Sequence, residues 1–279
     1  MCGIFGSINV EQQNFEHDAL NSINHRGPDS RGHVKDGRFL IGMTRLSIVD
    51  LDTGNQPISN EKNDIFLVCN GEIYNSNEIR NELKDKVQFK TNSDVECILK
   101  LYEIYSFDCL KKLRGMFSFA IYDVKNSLIF IARDRLGIKP LYYYRDSEKF
   151  IFSSEIKAIL ECKSIIPTSN FKKMYPHNYF TMELQTHVNE IQEFEPGTYS
   201  VVKFDGEIKY NNARYWNLNL LESNETENQV IEKLEKILDE SCSIHTRSDV
   251  PIGLMLSGGV DSNIVGYFFK KNHNKKFNS

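Results

Sequence analysis

The 279-residue chain has no excess of positive charge: 34 lysines and arginines stand against 38 aspartates and glutamates, a formal net charge of -4. Without a basic surplus there is no electrostatic footprint for nucleic acid or an anionic membrane surface, and small-molecule partners are expected instead. The chain also lacks any apolar run near the roughly 18 residues that span a bilayer, and its first residues lack the basic and apolar regions of a secretory leader. A cytoplasmic location is the resulting expectation. Six cysteines, Cys2, Cys69, Cys97, Cys109, Cys162 and Cys242, include no CxxC pair. Reduced thiols are therefore expected, with no disulfide framework and no metal-ligand cluster. Internal repeats and low-complexity tracts are absent.

What is present is an ordinary globular composition, 40% hydrophobic and 26% charged, on a chain longer than the roughly 100 to 200 residues of a single domain. Short β-rich runs bounded by Asn, Asp and Gly fill the first half: "CGIFGSIN", "FLIGMTRLSIV", "DIFLVCN", "MFSFAIYD", "SLIFIARD" and "KFIFSSE". They read as strands. Two helices interrupt them: "SNEIRNELKDK", and "SDVECILKLYEIY", whose Val95, Ile98, Leu99, Tyr102 and Tyr105 share a face. Ser93 and Glu96 have capping-box spacing. Many strands with few helices predict packed sheets under helical covers.

Residues 162–193 have no clean period and read as a loop or insertion. The polar run "ESNETEN" reads as a linker, and beyond it Val230, Ile231, Leu234, Ile237 and Leu238 form a helical apolar stripe. "VPIGLMLSGGVDSNIVGYFFKK" then predicts a strand, a turn and a helix. Two adjacent glycines alone mean a turn. The full "SGGVDS" string after a buried strand carries more, because its glycines let backbone amides and a helix N-terminus approach an anion. It is not the Walker A pattern, which needs GK[ST]. It resembles the PP-loop of ATP pyrophosphatases, which cleave ATP to AMP and pyrophosphate while adenylating a substrate.

Cys2 stands directly behind Met1. A small residue there can mean no more than easy removal of Met1, or that removal can place a thiol and a free α-amine on one residue. The strings "CGIFG", "HRGPDSRG", "TRLSIVDLDTGNQPI", "NGEIYN", "SDVECIL", "GMFSFAIYD", "ARDRLGIKPLYY", "SSEIKAI" and "SGGVDS" occur in order along the chain. Together they resemble the glutamine-hydrolysing asparagine synthetases. The resemblance implies an α+β N-terminal-nucleophile hydrolase sandwich, αββα with antiparallel sheets, over residues 1–220, followed at 221–279 by the truncated start of an α/β PP-loop synthetase domain.

By that resemblance Cys2 is the nucleophile, and the Asn70 side chain with the Gly71 amide forms the oxyanion hole. Arg45 grips the glutamine α-carboxylate, Glu72 and Asp94 recognise its α-ammonium, and Leu46, Ser47, Ile48 and Val49 line the substrate on one strand. Leu256, Ser257, Gly258, Gly259, Asp261 and Ser262 bind ATP. Glutamine, aspartate and ATP with Mg2+ are the implied substrates, with no prosthetic group and no resident metal. A homodimer, or a separate chain carrying the rest of the synthetase, fits the same layout.

Each residue also has a plainer reading. Arg45 is a strand-end charge, Asp94 a helix-dipole partner, and Asn70-Gly71 a hairpin turn. "HRGPDSRG", with His25, Arg26 and Asp29, reads as shaping the pocket, and "ARDRLGIKPLYY" as fold architecture. Two other readings of the whole stay open: an ATP-dependent amidotransferase with a different carboxylate acceptor, and a non-catalytic glutamine-binding remnant.

Overall fold

The computed structural model describes residues 1–169, 186–220, 222 and 224–272. The chain divides into two compact units, Met1–Ser47 with Asp52–Asn217, and Ile48–Leu51 with Leu218–Ser279.

The first unit contains two six-stranded sheets whose strand pairs are all antiparallel. One is built from β1 (Gly3–Ile8), β2 (Ser30–Asp36), β3 (Phe39–Arg45), β8 (Tyr142–Arg145), β9 (Phe150–Ser153) and β10 (Ile191–Glu193), in the order β10-β8-β9-β1-β3-β2. The other contains β4 (Ile58–Ser59), β5 (Ile65–Ile73), β6 (Gly115–Asp123), β7 (Leu128–Arg133), β11 (Thr198–Phe204) and β12 (Ile208–Arg214), in the order β12-β11-β7-β6-β5-β4.

The period of two along each strand sorts side chains into three apolar layers. Ile4, Ile8, Ile41 and Met43 of the first sheet meet Val68, Ala120, Tyr122, Ile129 and Ile131 of the second. Their strand neighbours Phe5 and Leu40 turn the other way, onto α1 (Phe15–Ser22) and α4 (Ile156–Leu160). Leu67, Cys69, Phe119 and Phe130 likewise cover α2 (Ser76–Leu83) and α3 (Glu96–Tyr105). The result is helix, sheet, sheet, helix. Because both faces of the central strands are covered, runs such as "LIFIA" are continuously apolar where a half-exposed strand would alternate.

Several expectations change. The strand predicted through Val49 ends at Arg45, because the backbone beyond it bonds to side chains: Leu46 to the Cys2 thiol and Ser47 to Asp29. Asn70 and Gly71 lie inside β5, opposite Ser118 and Phe117, and form no hairpin turn. The Ser93–Glu96 capping box is absent. Helix α3 begins at Glu96, whose carboxylate instead accepts the Lys90 and Thr91 backbone N–H groups at 2.8 Å. Strands β2, β8, β11 and β12 carry polar or tyrosine-rich sequences that hide their period. Of the 162–193 segment, residues 170–185 lie outside the described residues; on its flanks Ser169 bridges Val188.

In the second unit α5 (Glu227–His245) opens with a capping box between Thr226 and Gln229. It packs with α6 (Val260–Asn272), and Lys271 pairs with Asp239 at 2.6 Å. The stripe residues Val230, Ile231, Leu234 and Ile237 are exposed. The strand predicted before "SGGVDS" shortens to a single bridge residue, Gly253, and this unit has no named strand among its described residues. No described helix is long and apolar enough to cross a membrane.

Candidate active site

Cys2 immediately precedes β1, at the centre of its sheet, and packs against the apolar layer between the sheets. Its Sγ lies 3.4 Å from the Leu46 N–H, which it accepts, and 3.6 Å from the Leu46 carbonyl, to which the thiol donates. Arg26 Nε donates to the Cys2 carbonyl at 2.8 Å. Burial pushes the thiol's pKa above its ordinary value, against the opposing pull of the Leu46 peptide, the chain's amino terminus, Arg45 and Lys139. Burial also holds the terminal amine, carried here by Met1, below its ordinary value, with Arg26 and Lys139 adding to that fall. Thiol and amine are thereby both driven toward their neutral forms.

Around Cys2 the "HRGPDSRG" segment works as a brace. The Asp29 N–H donates to the Arg45 carbonyl at 3.1 Å, and the Asp29 carboxylate accepts the Ser47 N–H at 2.8 Å. Gly27 sits so close to β3 that a Cβ would meet the Thr44 carbonyl oxygen at 2.4 Å. The segment thus fixes the end of β3, where Arg45 is buried with its Nη1 donating to Asn55 at 3.2 Å.

Strand β5 supplies Asn70, Gly71 and Glu72. The pleat puts Asn70 and Glu72 on the face shared with Val68, which lies in the layer between the sheets. Asn70 is 1% exposed, and its Nδ2 has no hydrogen-bond partner among the described residues. A buried amide donor left unsatisfied costs about 1 to 3 kcal/mol, so this Nδ2 is a donor available to an acceptor brought to the site. Gly71 is obligatory because a Cβ there would meet the Met116 carbonyl oxygen at 2.3 Å. Asp94 is buried and accepts the Ile73 N–H at 2.6 Å, which docks it beside Glu72. Gln56 fixes the same strand from its edge, its Oε1 accepting the Cys69 N–H at 2.7 Å.

The first unit therefore carries Cys2, Arg45, Leu46, Ser47, Asn70, Gly71 and Glu72 on the facing strands and their ends, with Asp94 docked from the turn before α3. Ile48 and Val49 do not lie on a strand and group with the second unit. In that unit Leu256 to Gly259 form an exposed loop ahead of α6, with Gly258 at φ +81°. The Ser257 hydroxyl meets that of Ser262 at 3.1 Å, and Asp261 lies in the first helical turn. No group of three or more His, Cys, Asp or Glu side chains among the described residues is arranged to hold a metal ion.

Arg26, read from the sequence as shaping the pocket, grips the Cys2 carbonyl. Two neighbours were not singled out in the sequence: Gln56 clasps β5, and Lys139, from the string read as architecture, is buried and acts electrostatically on Cys2. The one available signal was a lysine closing the charged turn "RDRLGIK".

A family model described as a glutamine amidotransferase domain matches residues 1–216. The chain belongs to the glutamine amidotransferase family. A second model, asparagine synthase, matches residues 233–279. The chain is 34% identical to asparagine synthetase [glutamine-hydrolyzing] 1 of Bacillus subtilis, over 98% of its own length and 44% of that protein. It is also 34% identical to asparagine synthetase B [glutamine-hydrolyzing] of Escherichia coli, over 97% and 45%. Amidase chyE of Penicillium rubens is similar at 34%, over 88% and 37%. The chain thus spans about half the length, or less, of these relatives. Among solved structures, glutamine phosphoribosylpyrophosphate amidotransferase from B. subtilis superposes with a TM-score of 0.60 at 17% identity, covering 97% of this chain and 64% of that one. At that identity the likeness establishes the shared amidotransferase fold, the sandwich of two antiparallel sheets.

Proposed function

We propose that residues 1–220 of this amidotransferase hydrolyse glutamine at Cys2, and that residues 221–279 begin an ATP-dependent synthetase domain that passes the ammonia to aspartate. The observation that carries the first half is the Asn70 Nδ2, buried and without an acceptor, on the face of the sheet layer against which Cys2 packs.

Removal of Met1 frees the α-amine of Cys2. As the thiol attacks the glutamine side-chain carbonyl, its S–H bond breaks and the proton passes to that amine. Burial, which raises the thiol's pKa, disfavours the thiolate ahead of the attack. The new C–S bond leaves charge on the carbonyl oxygen, which accepts from Asn70 Nδ2 and the Gly71 amide, each donor worth on the order of 3 kcal/mol in the transition state. Collapse breaks the C–N bond, the amine returns the proton, and ammonia leaves. Water then cleaves the γ-glutamyl thioester to glutamate. Arg45 holds the α-carboxylate of glutamine through a charge-assisted contact, and Glu72 with Asp94 holds its α-ammonium.

For the second half, Ser257, Gly258, Gly259, Asp261 and Ser262 cradle the polyphosphate of the ATP-magnesium complex at the start of α6, and Leu256 contacts the nucleotide. Aspartate is adenylated there with release of pyrophosphate, and ammonia displaces AMP. The asparagine synthase match at 233–279 supports this acceptor over another carboxylate.

Glutamate and ammonia release from glutamine, measured with and without aspartate and ATP-magnesium, tests both halves. Release without ATP is expected from the first. Equal amounts of AMP, pyrophosphate and asparagine, from this chain or after adding the remainder of the synthetase, are expected from the second. Glutamate release with AMP formation on another acceptor, and none on aspartate, overturns the acceptor assignment.

A further inference from the structure

The turn that follows β7 is held by the last residue of that strand, Arg133, and by the next residue, Asp134. Arg133 donates to the carbonyls of Lys139 at 2.8 Å and Gly137 at 2.9 Å, and to Glu193 at 2.7 Å. The Asp134 carboxylate accepts the backbone N–H groups of Leu136, Ile138 and Lys139 at 2.9 to 3.1 Å, and of Phe117 at 3.2 Å. Gly137, at φ +68°, closes it.

This turn inverts the usual sorting of side chains. Leu136 is 70% exposed and Ile138 53%, whereas Lys139 is only 7% exposed. Lysine is almost never buried without a partner, yet the Lys139 ammonium makes no ion pair among the described residues. The Lys139 N–H shares the Asp134 carboxylate with the N–H of Phe117, which faces Gly71 across β5 and β6, so the turn is anchored against the strand that carries Asn70 and Glu72. The acidic groups that act on the lysine are Cys2 first, then Cys69, Glu72 and Asp134. Those acting on Cys2 in turn are the terminal amine, Arg45 and Lys139, beside the Leu46 peptide. Burial draws the lysine below its ordinary pKa, while these four groups favour its charged form.

Resting on the glutaminase reading, we propose that Lys139 is a positioning residue for the nucleophile, a fixed positive charge that stabilises the Cys2 thiolate as it forms. It takes no proton: the thiol proton still goes to the α-amine. A rigid turn serves this role because the field of a charge falls with distance and is strongest where water is excluded.

The test is the rate of Cys2 alkylation by iodoacetamide, followed by mass from about pH 5.5 to about pH 9.5 in the mature chain and in Lys139→Met, Lys139→Gln and Lys139→Arg. Removing a positive charge raises the thiol pKa. The Met and Gln variants should therefore titrate higher by about 0.5 to 1 unit, alkylating roughly three- to tenfold more slowly at neutral pH, while Lys139→Arg stays near the parent. The Gln variant keeps the test open if the Met variant fails to fold. Unchanged profiles in a folded neutral variant, or an Arg variant as slow as the neutral ones, overturn the proposal. A parent chain that alkylates with this dependence yet never hydrolyses glutamine overturns the glutaminase reading and leaves the Lys139 role standing.

Discussion

Arg26 holds the Cys2 carbonyl oxygen at 2.8 Å through Nε, while its Nη1 meets Glu155 at 2.9 Å. The Cys2 backbone is thus tied to an ion cluster in which Glu155 also meets His25 at 2.8 Å and Lys157 at 3.2 Å. Burial alone would raise the Glu155 pKa, but the bonds from Arg26, His25 and Lys157 outweigh it and hold the carboxyl below its ordinary 4.5. A carboxylate depressed in the folded state contributes stability that is complete above its unfolded pKa and lost as pH falls through the folded value. Glu155→Gln should lower the Tm at pH 7, and the gap to the parent should close as pH drops below about 4.5. Calorimetry across that range checks it; a gap independent of pH contradicts it.

Asn70→Ala separates catalysis from folding. The Nδ2 it removes has no partner among the described residues, so no hydrogen bond is lost and stability should fall by no more than about 1 kcal/mol. The kcat for glutamine hydrolysis should fall about 100- to 1,000-fold with a smaller effect on KM, the signature of a contact made in the transition state. Paired melting curves and initial rates decide it.

Gly71→Ala should do the opposite and unfold the site. The new methyl would meet the Met116 carbonyl at 2.3 Å and the Phe117 Cα at 2.6 Å, both backbone atoms of the neighbouring strand. A loss of at least about 2 kcal/mol is expected from urea titration.

Asp134→Ala strips four backbone N–H groups of their acceptor. The destabilisation should be on the order of 3 kcal/mol or more. Hydrogen exchange at residues 136–139 should speed up ahead of the rest of β6 and β7; uniform exchange would contradict a local role for the turn.

How much was legible follows from where the residues lie. Strands β1, β5, β6, β7 and β9 announced themselves because burial on both faces demands unbroken apolar runs. Strands β2 and β12 sit at sheet edges, where pairing with one neighbour suffices and "SRGHVKD" or "IKYNNAR" is tolerated. Asn70-Gly71 looked like a turn because local propensity cannot see the Met116 carbonyl pressing on Gly71 from the next strand. Cys2, Arg45, Asn70 and Asp94 could be named from their strings, yet only the pairing of distant strands brings them together. Lys139 escaped notice because its burial depends on the bonds of Arg133 and Asp134, which no periodicity encodes.

The central claim is that Cys2 carries the glutamyl group. Acid quenching of the mature chain during turnover of glutamine, with peptide mapping by mass, tests it most directly. One glutamyl adduct is expected on the N-terminal Cys2 peptide, absent in Cys2→Ala together with all glutamate release. An adduct on another residue, or hydrolysis that survives Cys2→Ala, would contradict it.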